Sequence, residues 1–166
     1  MIDNVPSEGD VSMVALLLGR IPGGNFAVGV RRPNGSPVVI VNDPLMFDGT
    51  PMPTRYWLVD RVLCQQVSRL ESSGGVGRAA EEVGADAIAL AHERYAAQRD
   101  REMPAGHMGP RPGGGVGGTR RGVKCLHAHL AWFLAGGEDP VGLWVARSLV
   151  PPIDRASFIL EFSGGE

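Results

Sequence analysis

The sequence FAVGVRRPNGSPVVIVN, residues 26–42, decides the fold class of this chain. Its two apolar runs, residues 26–30 and 37–41, flank the polar segment 33–36. Asn-Gly between two apolar runs is the strongest short-range signal for a β-hairpin. Because both runs are continuously apolar, the hairpin is expected to lie in a sheet with at least one covered face.

Further strands are predicted on both sides of the hairpin. The run Val-Ala-Leu-Leu-Leu at residues 14–18 predicts a strand before it, and residues 55–59 predict one after the proline-rich loop 42–54. Residues 157–162 predict a closing strand near the C-terminus. The polar residues 1–12 are expected to form a flexible N-terminus.

Helices are predicted in the second half of the chain. Asp60 is a suitable N-cap for a helix that ends near Glu71, and a helical pattern from 76 to 103 is interrupted near residues 84–86. A helix capped by Thr119 is expected to run to Phe133 and to stop at the following glycine pair. Asp139 followed by proline predicts one more short helix.

These patterns predict an α+β fold. A small, mostly antiparallel sheet from the N-terminal half, with a C-terminal strand added, is expected to pack against helices from the C-terminal half. A chain of 166 residues is the length of one ordinary domain, so residues 13–166 are expected to form a single domain.

Composition excludes several classes of protein. A hydrophobic fraction of 43% and a charged fraction of 20% are typical of a globular protein, and two cysteines make no disulfide framework. The longest apolar run, residues 14–18, is far short of a membrane span, so no membrane association is expected. The acidic N-terminus does not resemble a signal peptide, which indicates a cytoplasmic protein. A net charge of −2 gives no global attraction for nucleic acid.

The segment from Met103 to Gly137 stands apart from the rest of the chain. It contains no aspartate or glutamate but three arginines and one lysine, so its charge is +4 before any histidine is counted. Eight of the seventeen residues from Gly106 to Gly122 are glycine, which lets backbone N–H groups approach and surround an anion. The predicted helix after Thr119 would add the positive end of a helix dipole.

This segment therefore predicts a site for a small anionic ligand, phosphorylated or carboxylated. Arginine matches both groups with planar, two-pronged donors. The alternative is a glycine-rich surface loop with solvated arginines. The expected ligand-binding residues are Gly114, Gly115, Gly117, Gly118, Thr119, Arg120, Arg121, Lys124, Arg111 and Arg55.

Two familiar phosphate-binding motifs are excluded. Residues 113–118 satisfy the pattern G-x-G-x-x-G, but they follow Arg-Pro rather than a buried strand and no βαβ unit surrounds them. A Walker A loop requires lysine after Gly118, where this chain has Thr119.

The string Lys-Cys-Leu-His-Ala-His at residues 124–129 allows several chemistries. On one helix Cys125 and His129 share a face and could begin a zinc site, while His127 lies on another face. Cys125 in electropositive surroundings is a candidate nucleophile, and His127 or His107 is a candidate acid–base catalyst. The competing interpretation is a buried, inert thiol beside a hydrogen-bonded core histidine.

The segment 49–57 joins prolines to an arginine and two aromatic residues. It either forms the wall of a pocket, with Arg55 facing the ligand, or covers the edge of the sheet.

Residues 51–58, 68–71, 114–118 and 123–129 together resemble a bacterial family of unknown function, family 501. The resemblance covers the chain from about Leu16 to Trp144 and implies a small cytosolic protein without an assigned activity. Relatives similar to this chain read Trp-Leu-Thr-Cys-Pro where it has Trp-Leu-Val-Asp-Arg at 57–61. If that cysteine binds metal, Asp60 would have to replace it here.

The leading hypothesis is thus a small-anion site at the glycine- and arginine-rich segment, with histidine as the acid–base group if there is a reaction. The first alternative is a non-enzymatic adaptor for a protein or RNA partner. The second is a structural zinc-binding domain built on Cys125 and His129.

Overall fold

The computed structural model describes residues 5–161. Six helices and four strands follow one another along this part of the chain: α1 Glu8–Leu18, β1 Phe26–Arg31, β2 Pro37–Asn42, β3 Tyr56–Leu58, α2 Arg61–Ser72, α3 Gly75–Val83, α4 Ala85–Arg101, α5 Leu126–Leu134, α6 Pro140–Ser148 and β4 Ile159–Leu160. Single 3-10 turns occur at Val116–Gly118 and Arg155–Ser157.

The four strands form one antiparallel sheet in the order β3-β2-β1-β4. The predicted hairpin is present as β1 and β2, and the predicted C-terminal strand is present as β4, which pairs with β1. The α+β fold class is therefore confirmed. Phe162, the last residue of the predicted closing strand, lies outside the described residues.

Both faces of the sheet are covered. Alternate side chains of a strand point to opposite sides, and in β2 both sets are buried. Val39 and Val41 of β2 belong to the main core, which lies between the sheet and the helices α2 to α6. Ile40 points to the other side and packs with Val14 of α1 in a smaller cluster.

The first element differs from its prediction. Residues 14–18 were expected to form a strand, but they are the second half of α1. Ser7 caps this helix in a capping box with Asp10, and Gly19 ends it in the left-handed conformation. A short apolar run does not distinguish a strand from a buried helix segment, so the cap decides. Residues 8–12 of the predicted flexible N-terminus are helical, and residues 1–4 lie outside the described part.

The helices of the middle of the chain agree with prediction. α2 is capped by Asp60, α3 and α4 meet at Gly84, and α6 starts with Asp139 as its cap and proline in its first turn. No described helix is both long enough and apolar enough to cross a bilayer.

The helix expected after Thr119 is wrong at its N-terminus. α5 begins at Leu126 with Cys125 as its N-cap, six residues after the predicted cap. The backbone of Thr119 is extended, and Gly122 has a φ of 63°, a left-handed conformation that interrupts a right-handed helix. The glycine-rich segment therefore does not run directly into a helix N-terminus.

Candidate functional site

Three side chains with different chemistry meet between α2 and the start of α5. One ligand-type atom each from Glu71, Cys125 and His127 lies within 4.8 Å of the other two. Among the side chains of residues 5–161, these three form the one group of histidine, cysteine or acidic residues whose spacing suits a metal ion. The donor set of thiolate, imidazole and carboxylate is compatible with zinc.

One stripe of α2 supports this cluster. Cys64, Ser68 and Glu71 are four and three residues apart, so they share a face of the helix. His127 lies along that stripe: its Nε2 is 3.1 Å from the carbonyl oxygen of Cys64 and 3.2 Å from the hydroxyl of Ser68. Its Nδ1 lies 3.2 Å from Oε1 of Glu71.

The surroundings of His127 favour a positive charge. A backbone carbonyl faces one ring nitrogen and a carboxylate faces the other, and both groups only accept hydrogen bonds. Burial lowers the pKa of His127, but the neighbouring Cys125, Glu71 and Cys64 carbonyl outweigh it and raise the pKa to about 9. An imidazolium satisfies both acceptors, so the doubly protonated ring is the favoured form.

The two cysteines have opposite properties. Burial raises the pKa of the Cys125 thiol, but the adjacent His127 and the backbone N–H of Ala128 outweigh burial, and the net pKa is lowered. Burial raises the pKa of Cys64 to about 11, and its Sγ lies 3.4 Å from the carbonyl oxygen of Leu58. Cys125 is therefore the more readily ionised thiol.

Glu71 also fixes the start of α5. Its Oε1 accepts the backbone N–H of Leu126 at 2.7 Å, one of the N–H groups that have no partner within the helix. The carboxylate therefore holds both the imidazole of His127 and the first turn of α5 in place.

A pocket of about 300 Å³ opens beside the cluster. Its walls are mostly apolar, and Cys125 and His127 supply a thiol and an imidazole. The lining residues are Leu18, Thr54, Tyr56, Trp57, Leu58, Cys125, His127 and Ala128.

The glycine-rich turn borders the same region. A Cβ placed on Gly117 would contact Cβ of Ala128 and of Cys125, and one placed on Gly118 would contact Pro53. The pocket, the start of α5 and the turn Val116–Gly118 are thus neighbours.

Two buried side chains of α4 form hydrogen bonds with the backbone of the turn and of the residues beside it. His92 accepts the N–H of Val116 through Nδ1 at 3.1 Å and donates from Nε2 to the carbonyl of Gly122 at 2.8 Å. Arg99 donates to the carbonyl of Gly114 at 2.7 Å. Neither residue was singled out from the sequence as a support of the loop, because the charged pattern of α4 is typical of a solvated face.

Most backbone N–H groups of this turn already have partners inside the protein. The N–H of Gly115 donates to the carbonyl of Thr119, and that of Gly118 donates to Gly115. Thr119 donates to Val116, whose own N–H is bonded to His92. An anion cradle at 113–118, as predicted, would have to break these bonds.

The basic side chains of the segment are free to meet an anion. Arg111, Arg120, Arg121 and Lys124 are exposed, and none of the ion pairs found among residues 5–161 includes them. Three of the four precede Cys125 by five residues or fewer.

Three other candidates lie apart from the cluster. Arg55 is buried, with Nη2 3.7 Å from Oε2 of Glu102. His107 forms a contact of 3.0 Å with the carbonyl of Pro110 in its own loop.

His129 is the third of them and lies fully inside the protein. Its Nδ1 is 2.7 Å from Oδ2 of Asp139, and both side chains are completely buried. The same Asp139 caps α6, so His129 joins α5 to α6. The predicted zinc pair required Cys125 to lie beside His129. In the structure Cys125 lies beside His127 and Glu71 instead.

Asp60 does not take a ligand position either. Its carboxylate caps α2 and forms a two-pronged ion pair with Arg32. Glu71 was missed as a site residue, although the segment 68–71 is one of those that resemble the family.

Comparison with known proteins agrees with that resemblance. A family model described as "Protein of unknown function (DUF501)" matches residues 28–147. Searches of curated proteins and of solved structures each found no match. The matched segment covers more than half of the chain and contains Glu71, Cys125 and His127, so this protein belongs to the DUF501 family.

Proposed function

We propose that this protein binds a small anionic ligand in the pocket beside β3 and acts on it with the Cys125 thiol. His127 is the acid–base partner, and Glu71 orients its imidazole. The observation that carries the proposal is the position of Cys125 and His127 in the pocket wall, next to Glu71.

The pocket has the character of a small-molecule site. Such sites are concave and mostly apolar, with a few polar groups that orient the ligand. Tyr56, Trp57 and Leu58 supply apolar surface, and the thiol and imidazole supply the polar groups.

The arrangement suits attack by sulfur on an electrophilic carbon. A bond forms between Sγ of Cys125 and that carbon, and the leaving group departs with a proton from the His127 imidazolium. Water then releases the product from sulfur and returns a proton to the imidazole. Glu71 keeps Nδ1 of His127 in place throughout.

Basic side chains support an anionic ligand. Arg120, Arg121 and Lys124 are exposed just before Cys125 in the chain. Because backbone N–H groups of the turn Val116–Gly118 are bonded internally, these side chains are the groups that bind the anion.

The test is alkylation of metal-stripped protein at pH 7 with iodoacetamide and with iodoacetate, followed by peptide mass spectrometry. Cys125 is expected to react at least about ten times faster than Cys64, because reactivity follows the thiolate fraction and a pKa difference of one unit is a factor of ten. The rate at Cys125 should reach its plateau at a lower pH than for a free thiol. Equal rates at the two cysteines would contradict the thiol chemistry.

Comparison of the two reagents tests the anion site separately from the reactivity of the Cys125 thiol. Iodoacetate is negatively charged and iodoacetamide is neutral, so basic side chains near Cys125 raise the first rate relative to the second. Changing Arg120, Arg121 and Lys124 together to glutamine should lower the ratio of iodoacetate to iodoacetamide rates several-fold. Arg78→Gln, on α3, is the matched control. An unchanged ratio in the triple variant would remove the anion from the proposal.

Two other candidates give different results. An adaptor for protein or RNA predicts slow alkylation of Cys125 and a thermal shift with short RNA or a protein partner but not with phosphate or carboxylates. Zinc would be held by the same three side chains, so the alkylation is compared with and without zinc.

A further inference from the structure

We propose that Glu71, Cys125 and His127 bind one zinc ion, whose open coordination position faces the pocket, and that this ion reversibly blocks the Cys125 thiol. Zinc binding stands on the geometry of the cluster alone. The blocking role rests on the proposed function, since it needs Cys125 to be the reacting group.

The spacing of the donors is suitable. Zinc binds sulfur at about 2.3 Å and nitrogen or oxygen at about 2.0–2.2 Å, so tetrahedral ligand atoms are about 3–4 Å apart. In this protein Nδ1 of His127 and Oε1 of Glu71 are 3.2 Å apart, and all three donors lie within 4.8 Å of one another. Small side-chain rotations therefore complete the site.

His127 has the orientation of a metal ligand. Its Nε2 faces the carbonyl of Cys64 at 3.1 Å, and a carbonyl only accepts, so Nε2 carries a hydrogen. A metal-bound histidine usually donates its second N–H to a carbonyl or carboxylate in this way. Nδ1 then faces Oε1 of Glu71 at 3.2 Å, a separation that suits two ligand atoms of one zinc ion.

The choice of metal follows from the donors. A thiolate together with an imidazole favours zinc over calcium or magnesium, which prefer oxygen ligands. Three protein ligands are typical of zinc sites with an open fourth position, whereas closed structural sites have four. Since Cys125 and His127 line the pocket, the open position faces it. With its sulfur bound to zinc, Cys125 is no longer free to attack a ligand.

The first experiment is a titration of chelator-treated full-length protein with Zn²⁺ against a chromophoric chelator, followed by Co²⁺ substitution. One equivalent of zinc is expected to bind, and Co²⁺ should give a thiolate charge-transfer band. Cys125→Ser and His127→Gln should each weaken zinc binding at least about 100-fold, and Glu71→Gln about tenfold or more. Circular dichroism checks that the variants are folded.

Two controls use the same residue types outside the cluster. Cys64→Ser removes the other thiol but keeps the backbone carbonyl that faces Nε2 of His127, and His107→Ala removes an imidazole of a separate loop. Both should keep wild-type zinc affinity. Absence of stoichiometric zinc, or affinity that survives Cys125→Ser, would overturn the site.

The second experiment measures alkylation of Cys125 by iodoacetamide with and without one equivalent of zinc. Zinc should slow this reaction at least tenfold, and chelator should restore it, with no change at Cys64. Zinc binding without a reactive Cys125 in the stripped protein would keep the metal site and refute the thiol chemistry and the blocking role. A reactive Cys125 without zinc binding would refute the metal site and keep the proposed function.

Discussion

Gly115 lies directly against the imidazole of His92. A Cβ at this position would overlap the Cβ and the ring of His92, which is buried and bonded to both Val116 and Gly122. Gly115 is thus one glycine of the segment 106–122 that is required because a larger residue would overlap His92. From the sequence, the excess of glycine was explained by close approach of a ligand. At Gly115 the space that a Cβ would need is occupied by His92 instead.

Gly115→Ala is therefore expected to destabilise the protein by about 1–3 kcal/mol, the usual cost of overpacking. Gly113→Ala is the matched control, because a Cβ there meets no atom within 4 Å and its φ is not positive. Urea unfolding of the two variants measures the difference. Equal stability would show that the turn adjusts without strain and that His92 does not restrict it.

The candidate site also shows what single residues reveal. Cys125 and His127 were identified from their chemistry, since a thiol and an imidazole in basic surroundings are unusual. They were placed on different faces of a helix because that helix was expected to begin at Thr119. With Cys125 as N-cap its backbone is extended, and the two side chains reach the same cluster with Glu71.

At the scale of elements, caps explain where prediction succeeded. Asp60 and Asp139 each cap the helix that their sequence context predicts, because a cap is a contact between residues two or three positions apart. α1 was missed although Ser7 and Asp10 form the same kind of local contact. The apolar run that follows them fits a strand equally well.

Asp139 combines a cap with a buried contact between helices. Its Oδ1 accepts the N–H groups of Val141 and Gly142, and its Oδ2 contacts Nδ1 of His129. Asp139→Ala is expected to cost about 2–4 kcal/mol, from a lost cap of about 1 kcal/mol and a buried imidazole left without its partner.

Asp139→Asn retains the capping oxygen and should lose clearly less, as measured by urea unfolding. If both variants lose the same amount, the contact with His129, rather than the cap, carries the effect. If neither variant loses stability, the contact between Asp139 and His129, which connects α5 to α6, does not contribute to the stability of the fold.

At the scale of the whole molecule, two carboxylates connect the hairpin to helices. Asp60 of the α2 cap pairs with Arg32, and Asp10 of α1 pairs with Arg31. Burial raises the pKa of Asp60, but Arg32 and the backbone N–H groups of Leu63 and Val62 together outweigh it, and the net pKa is lowered. The bond from Arg31 lowers the pKa of Asp10 to about 2.

These pairs predict a loss of stability in acid. A folded-state pKa below the unfolded value contributes stability above the unfolded pKa, and the contribution disappears as pH falls through the folded pKa. For Asp10 this window extends from 3.8 down to about 2. The free energy of unfolding should therefore fall below pH 4.

Arg31→Gln and Arg32→Gln are each expected to make that fall shallower, whereas Arg78→Gln, whose guanidinium bonds Ser73, should not. Urea unfolding between pH 2 and 7 tests this. An identical pH profile for all three variants would show that other groups dominate the acid transition.

That residues 13–166 form one domain stays a prediction.

The features that depend on neighbouring residues follow from the sequence alone. These are the hairpin around Asn-Gly, the capped helices α2 and α6, the α+β class and the basic, glycine-rich character of the segment before Cys125. The structural features follow from turn geometry, capping or hydrophobic periodicity, which act over a few positions, and the character of the segment is its composition.

Which side chains meet depends on how distant parts of the chain pack together. Glu71 and His127 are 56 positions apart, and their contact depends on how α2 packs against α5 and on where α5 begins. His129 shares the short segment 124–129 with Cys125, yet it is turned into the core toward Asp139. Packing of a whole core selects these contacts, and a pattern in one segment contains no information about the partner that a distant helix supplies.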